Sequence, residues 1–400
     1  MNIQTLTTYA RKHVFESARF YYGVLVALTF HLVFRHSLIK FLTVNGESEW
    51  LASKVVTAIL YGSIYGCCIV SAVFLRKKIS KLFLYTWLII SCISVFNEFR
   101  FYLDDPRNHN FISSISSGQG FMNVRITLPI LFLAVWQALK FSISFSKHFI
   151  RLIYIATIVN SFFVCVGVVF DVSIFESYPM SGRWGYSGIF ARGYSVILSS
   201  LFLIDLLSKY HFFSVRSLLF VAALLCSGTK AGLLSLVIIV FWGTVRSKKT
   251  QFAFAGVGLA ALTTLPKWMA WIVSFSPFWQ KVYLDHGPWG VLFSLRNENL
   301  ATISNYIQKE YLFTDWIVGG NVRFESFYVE VVPIDIFVWY GLVGFFALIR
   351  FFYLITPNLN RAIPVIVGCF SGALINAPLA FIIWMVWMKE KKVVMKNGGT

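Results

Sequence analysis

Long apolar runs alternate with short polar or basic stretches along the whole chain, and the runs are about as long as a bilayer is thick. Segments of roughly 20 apolar residues predict membrane-spanning helices, which fall at 20–43, 51–75, 82–98, 122–141, 149–170, 188–207, 214–228, 230–245, 251–275, 334–353, 362–375 and 377–388. The stretches between them are of two kinds. One kind is basic: "RKHVFESAR", "RKKISK", "KFSISFSKHFIR", "KYHFFSVR", "VRSKK", Arg350 to Arg361 and "KEKKVVMK". Lys and Arg near span ends favour the cytoplasmic side, and all these clusters share that side if the chain starts inside and crosses about twelve times. The count requires two short helix pairs, 214–245 and 362–388, each turning at a polar tip, "CSGTKAG" and "GALINAPLA". Arg35, His36 and Lys40 then lie in the outer half of the first span and are read as snorkelling to the interface.

The second kind of stretch is aromatic and mixed in charge, and it falls on the opposite side. It comprises "FRFYLDDPRNHNFISSISSGQGF", "DVSIFESYPMSGRWGYSG" and a long segment from Ser276 to Pro333. The chain is therefore expected to divide into spans with short loops (1–275), one large outer loop (276–333), and further spans with a cytoplasmic tail (334–400). Inside the large loop, Leu295 to Tyr311 reads as an amphipathic helix, followed by a glycine turn at Gly319 and Gly320. Pro333 suits the first position of the next helix, which puts Asp335 in its first turn, where the helix dipole favours a carboxylate.

Composition agrees with this pattern. Hydrophobic residues make up 58% of the chain and charged ones 13%, far from the balance of a soluble domain. The expected fold is all-α: a polytopic integral membrane protein with about 12 transmembrane helices and a large periplasmic loop late in the chain. A net charge of +18 would point to nucleic acid in a soluble protein, but here the cations cluster between spans and set topology, so no nucleic-acid partner is expected. The six cysteines all lie in apolar runs without metal spacing and read as small core residues. The first apolar run follows a basic lead with Arg11, Lys12 and Arg19 and has no small-residue cleavage site, so no removable signal is expected. No phosphate-binding loop, dinucleotide fingerprint, zinc spacing or nucleophile elbow occurs, so neither a cofactor nor a metal is expected.

Candidate chemistry lies on the outer side. Arg125, Arg183, Arg192, Lys230, Arg296 and Arg323 fall within or beside spans there, and ionisable groups at membrane depth are costly enough to be site candidates by default. Arg192, four residues into a predicted span, and Lys230, at the tip of a short pair, stand out; the alternative for each is a structural ion pair or snorkelling. If several converge they form an anion site, and the planar fork of Arg matches paired phosphate oxygens. A diphosphate at the membrane surface is the natural ligand. Glu330, just before the late span, is placed to act as general base on a sugar hydroxyl or to hydrogen-bond the sugar; an ordinary loop acid is the alternative. Asp335 has helix capping as its plainer reading. Trp184, Tyr186, Trp289, Trp316, Phe327 and Tyr328 are candidates to stack on sugar rings, although aromatics also gather at bilayer interfaces. His286 and His109 read as solvated loop residues, and His31 as a core residue.

Four motifs in fixed order, "SGIFARGYS", "LLCSGTKAGLLSL", "SLRNENL" and "YVEVVPIDIFVWYGLVG", together with the late outer loop, resemble the bacterial O-antigen polymerases (Wzy-type) of the O-antigen ligase and polymerase superfamily. The resemblance covers roughly Tyr178 to the C-terminus; the first half matches in topology alone. It implies an inverting, metal-independent glycosyl transfer on the periplasmic side of the bacterial inner membrane, with both termini cytoplasmic. The growing glycan leaves undecaprenyl diphosphate and joins the non-reducing end of a lipid-linked repeat unit. The resemblance implies diphosphate binding by Arg192 and Arg296 with Lys230 and Arg323 as helpers, and acceptor activation by Glu330; Glu330 and Arg296 are thus the expected catalytic residues, with Asp335 and Tyr328 as expected substrate contacts. Expected partners are an undecaprenyl-diphosphate-linked oligosaccharide, membrane lipid and a chain-length co-polymerase. Ligases of the superfamily resemble "HNxxL…GxxG", with histidine eleven residues before the glycine that corresponds to Gly341. This chain has Glu330 at that distance, which favours polymerase over ligase; a lipid-linked glycan transporter is the other alternative.

Overall fold

The computed structural model of the chain describes residues 50–104, 119–138, 143–178, 183–207, 214–244, 263–274, 276–294, 296–320, 329–356, 359–370 and 380–388, with single positions at 23 and 256. The span expected at 20–43 apart from position 23, residues 251–255, 257–262 and 275 of that at 251–275, and the candidates Arg323, Tyr328, Phe327, His31 and His109 lie outside the described residues.

Helices dominate, and the described residues include no strand, only one bridge between Glu176 and Tyr186. In chain order they are α1 (Trp50–Phe74), α2 (Lys81–Asp104), α3 (Gln119–Ala138), α4 (Ile143–Phe170), α5 (Arg192–Leu207), α6 (Val215–Cys226), α7 (Lys230–Thr244), α8 (Leu265–Val273), α9 (Pro277–Phe293), α10 (Arg296–Glu310), α11 (Phe313–Val318), α12 (Val332–Ile355) and α13 (Leu359–Phe370), with a further helical segment at 380–388. Among these, Lys81–Arg100, Ser146–Phe170 and Val332–Ile355 are long and apolar enough to cross a membrane, and Tyr61–Phe74, Val124–Ala138, Val215–Cys226 and Lys230–Ile239 are shorter apolar helices. Val95, Phe162, Val237 and Tyr353 on these helices are exposed. Apolar side chains facing outward on helices of this length define a membrane protein, because such faces are stable against lipid and not against water.

One apolar core joins α1 to α7, α12, α13 and the 380–388 segment. α3 packs on α1 and α2, α2 on α12, and α5 on α6, α7 and α13. Its largest enclosed side chains include Trp136, Trp339, Trp384 and Trp387.

The segment between α8 and α12 is not extended chain. It folds into α9, α10 and α11, and α10 closely follows the amphipathic pattern of its sequence. The short helix α11 docks against a break in α12 at Gly341, whose φ of 60° and ψ of −166° leave the helical region. A break frees the carbonyls just before it, and inside a membrane these need partners. Asn97 Nδ2 donates to Trp339 O (2.9 Å) and to Val318 O (3.0 Å), Gly320 N donates to Val338 O (2.9 Å), and Tyr311 Oη donates to the same carbonyl (3.0 Å). An Arg100–Asp315 ion pair (2.6 Å) ties α2 to α11, and the second Asp315 oxygen accepts from Leu312 N (2.8 Å). Asn97 is 1% exposed, so Asn97→Leu strands two buried carbonyls and is expected to destabilise the protein by about 2–4 kcal/mol. Thermal unfolding in detergent measures this, and an unchanged midpoint would count against the role of Asn97 in holding the break.

Candidate functional site

Of the cations singled out by the sequence, Arg125 lies inside α3 and Arg183 in the loop before α5, while three others each open a helix. Arg192 is the first residue of α5, Lys230 of α7 and Arg296 of α10. Arg192 is exposed, because residues 188–191 form a turn ahead of the helix rather than its first turn. A cation at a helix N-terminus opposes the helix dipole, where acidic side chains or bound anions are the favoured occupants. Local helix stability therefore does not account for these three positions.

Close backbone contacts bring the first two motifs together. Gly185 and Gly228 both have positive φ, 150° and 64°, and a β-carbon at Gly228 would lie 2.0 Å from Trp184 O. Tyr186 N donates to Cys226 O (2.7 Å) and Ser177 Oγ to Ser227 O (2.9 Å), which locks the loop before α5 onto the "CSGTKAG" tip. Thr229 Oγ1 accepts from Gly232 N (2.9 Å) and caps the start of α7. On the other side, the enclosed Asn160 of α4 accepts from Phe190 N (2.8 Å) and donates to Ser195 Oγ (3.0 Å), which fixes the entry to α5. The Tyr186 hydroxyl donates to Asp171, and burial together with that bond pushes its pKa up to about 12, so it stays a neutral donor.

Aromatic rings carry the cations. The Arg192 guanidinium lies 4.5 Å from the Tyr178 ring centroid, and Arg183 lies 5.3 Å from the same ring, 4.0 Å from Phe278 and 5.4 Å from Trp279. Lys230 Nζ is 4.6 Å from the Trp279 ring. That ammonium is buried and makes no hydrogen bond among the described residues, while Arg296 and Arg183 are near enough to repel it. α9 supplies Phe278 and Trp279 and so walls the site.

Arg296 Nη2 donates to Glu330 Oε2 at 2.6 Å, and both side chains are partly exposed (20% and 42%). Glu330 has φ of 63°, a left-handed conformation that costs an L-residue about 1–2 kcal/mol. Asp335 holds the turn: its Oδ1 accepts from Val329 N (2.8 Å), and the residue is fully enclosed. Asp335 thus contacts the backbone beside Glu330 rather than lying open to a ligand, and it is a positioning residue in this structure. Arg125 lines a small cavity of about 30 Å³ together with Ile126, Pro129, Val332, Ile336 and Phe381 among others.

Arg192, Lys230, Arg296, Glu330 and Asp335 therefore belong to one site, while Arg323 and Tyr328 lie in the part of the late segment that is not described. Tyr178, Phe278, Trp279 and the structural Asn97 did not emerge from the sequence. Asn97 had a signal, a carboxamide inside the apolar run "SCISVFNEF"; the three rings had none, being indistinguishable from other interfacial aromatics. Comparisons with protein-family models, with curated proteins and with solved structures give no match to this chain.

Proposed function

We propose that the protein is a polysaccharide polymerase of the O-antigen polymerase type, a membrane glycosyltransferase that moves a growing glycan from undecaprenyl diphosphate to the non-reducing end of a lipid-linked repeat unit. The observation that carries this reading is the convergence of Arg183, Arg192 and Lys230 on shared aromatic rings, with Arg296 close enough to Lys230 to repel it and Glu330 paired to Arg296. Among the described residues the cations of this cluster outnumber its carboxylates. Such a site favours a multiply charged anion, and guanidinium groups near an ammonium suit a diphosphate. An inverting transfer needs that leaving group stabilised and the acceptor hydroxyl deprotonated on the opposite face of the sugar. Glu330 is the acid available for the second task. In this reading about twelve helices cross the bacterial inner membrane, both termini are cytoplasmic, residues 276–333 form the periplasmic loop, and a chain-length co-polymerase is a partner.

The test is the glycan ladder of cells lacking the gene, compared with cells carrying the wild-type copy. A polymerase deletion leaves single repeats attached to lipid A core. Loss of even that single repeat, with lipid-linked polymer accumulating outside, indicates a ligase; lipid-linked single units retained inside indicate a transporter. Within the polymerase reading, Glu330→Gln is expected to lower the polymerisation rate by about 10²-fold or more, the usual contribution of a general base. Full-length chains from both Glu330→Gln and Glu330→Ala would remove Glu330 from that role.

A further inference from the structure

We propose that Arg296 is a shared counter-ion: Glu330 occupies it until an anionic ligand arrives, and the exchange releases Glu330 as a base only when the leaving group is bound. The inference rests on the polymerase reading above and adds a coupling between donor binding and acceptor activation.

The pair is built to be exchanged. One carboxylate oxygen meets one guanidinium nitrogen, whereas a bidentate pair would engage two donors. Arg296 Nε is buried and makes no hydrogen bond among the described residues, and the same holds for Lys230 Nζ nearby. A diphosphate offers enough oxygens for all of these donors, which one Glu330 oxygen does not. Glu330 is also the more exposed partner of the pair, at 42% of its side chain, so water can replace its lost partner at small cost. Its backbone is held independently, because Val329 N is bound by Asp335 and not by anything on α10. The side chain can leave Arg296 while the turn stays in place.

Release changes the chemistry of the carboxylate. Beside Arg296, Glu330 Oε2 is taken up by the guanidinium. Away from Arg296, that oxygen is free to accept from the acceptor hydroxyl. The transfer step then balances. The acceptor hydroxyl gives its proton to Glu330 as its oxygen bonds the anomeric carbon; the bond from that carbon to the diphosphate oxygen breaks, and its electron pair leaves on the diphosphate held by Arg296. With no donor bound, Glu330 remains quenched.

The experiment measures binding of inorganic pyrophosphate to the full-length protein in nanodiscs by isothermal titration calorimetry at neutral pH. If Glu330 competes for Arg296, Glu330→Gln and Glu330→Ala both bind pyrophosphate more tightly than wild type, by about two- to fivefold, the scale of a partly exposed ion pair. Arg296→Ala weakens binding. Binding that Arg296→Ala weakens but that both Glu330 variants leave unchanged or weaker overturns the exchange alone. Absence of binding to the wild type, or binding that Arg296→Ala leaves intact, overturns the anion-site reading and the exchange with it.

Discussion

Arg296→Ala is expected to abolish the long-chain ladder while the protein stays in the membrane at its normal level. Two effects act together. On the polymerase proposal, the variant removes the guanidinium that would stabilise the departing diphosphate, a class of contact whose loss costs about 10²–10³-fold in rate. It also removes the counter-ion through which donor binding would be coupled to the release of Glu330. The stability cost is small by comparison, since a pair with 20% and 42% exposed side chains contributes at most about 1 kcal/mol. Arg296→Lys separates the contributions, because it keeps the charge but loses the fork that engages two phosphate oxygens. Ladders on gels, read beside immunoblots of the membrane fraction, decide the matter. Normal polymer length at normal protein level in Arg296→Ala would remove Arg296 from the reaction.

Gly228→Ala is expected to be the most damaging single-methyl change near the site. The added β-carbon would lie 2.0 Å from Trp184 O and 2.5 Å from Gly185 Cα, both backbone atoms, on a residue with φ of 64°. A left-handed alanine costs about 1–2 kcal/mol and overpacking about 1–3 kcal/mol, so the total is roughly 2–5 kcal/mol. Gly287→Ala is the internal control: with φ of 67° and ψ of −173° it too has a backbone that favours glycine, but nothing lies within 4 Å of the place its methyl would take, so only the backbone cost of about 1–3 kcal/mol applies. The difference appears as a larger drop in the thermal midpoint for Gly228→Ala, and equal drops would show that the contact with Trp184 is not binding the two segments together. Where the Gly228→Ala protein does fold, the tip carrying Lys230 has moved off the loop carrying Arg183, so shorter ladders are expected as well.

Much of this was legible in the residues. Run lengths and composition pointed to helices that suit a bilayer, since chain in lipid must satisfy its own backbone hydrogen bonds and the helix does so locally. The amphipathic period of residues 295–311 marked α10, and Pro333 marked the start of α12, because both signals are local. The choice of Arg192, Lys230, Arg296 and Glu330 as candidates also followed from sequence, since a charge beside an apolar run is expensive wherever the chain then folds.

What the sequence did not contain was adjacency. Arg192 was expected four residues into its helix and is instead the first residue of α5, because Asn160, far away in the chain, takes up Phe190 N and sets where the helix begins. The contact of Gly185 with Gly228, the rings shared by Arg183, Arg192 and Lys230, and the Arg296–Glu330 pair all join segments distant in sequence. The break of α12 at Gly341 likewise depends on Asn97 and on Gly319, whose own β-carbon would meet Trp339 O at 2.2 Å. The sequence by itself determined helical elements, their apolar character and the list of costly charges, because these depend on each residue and its near neighbours. Tertiary structure alone decided which charges meet and which carboxylate faces which cation, because electrostatic and steric contact depend on distance in space.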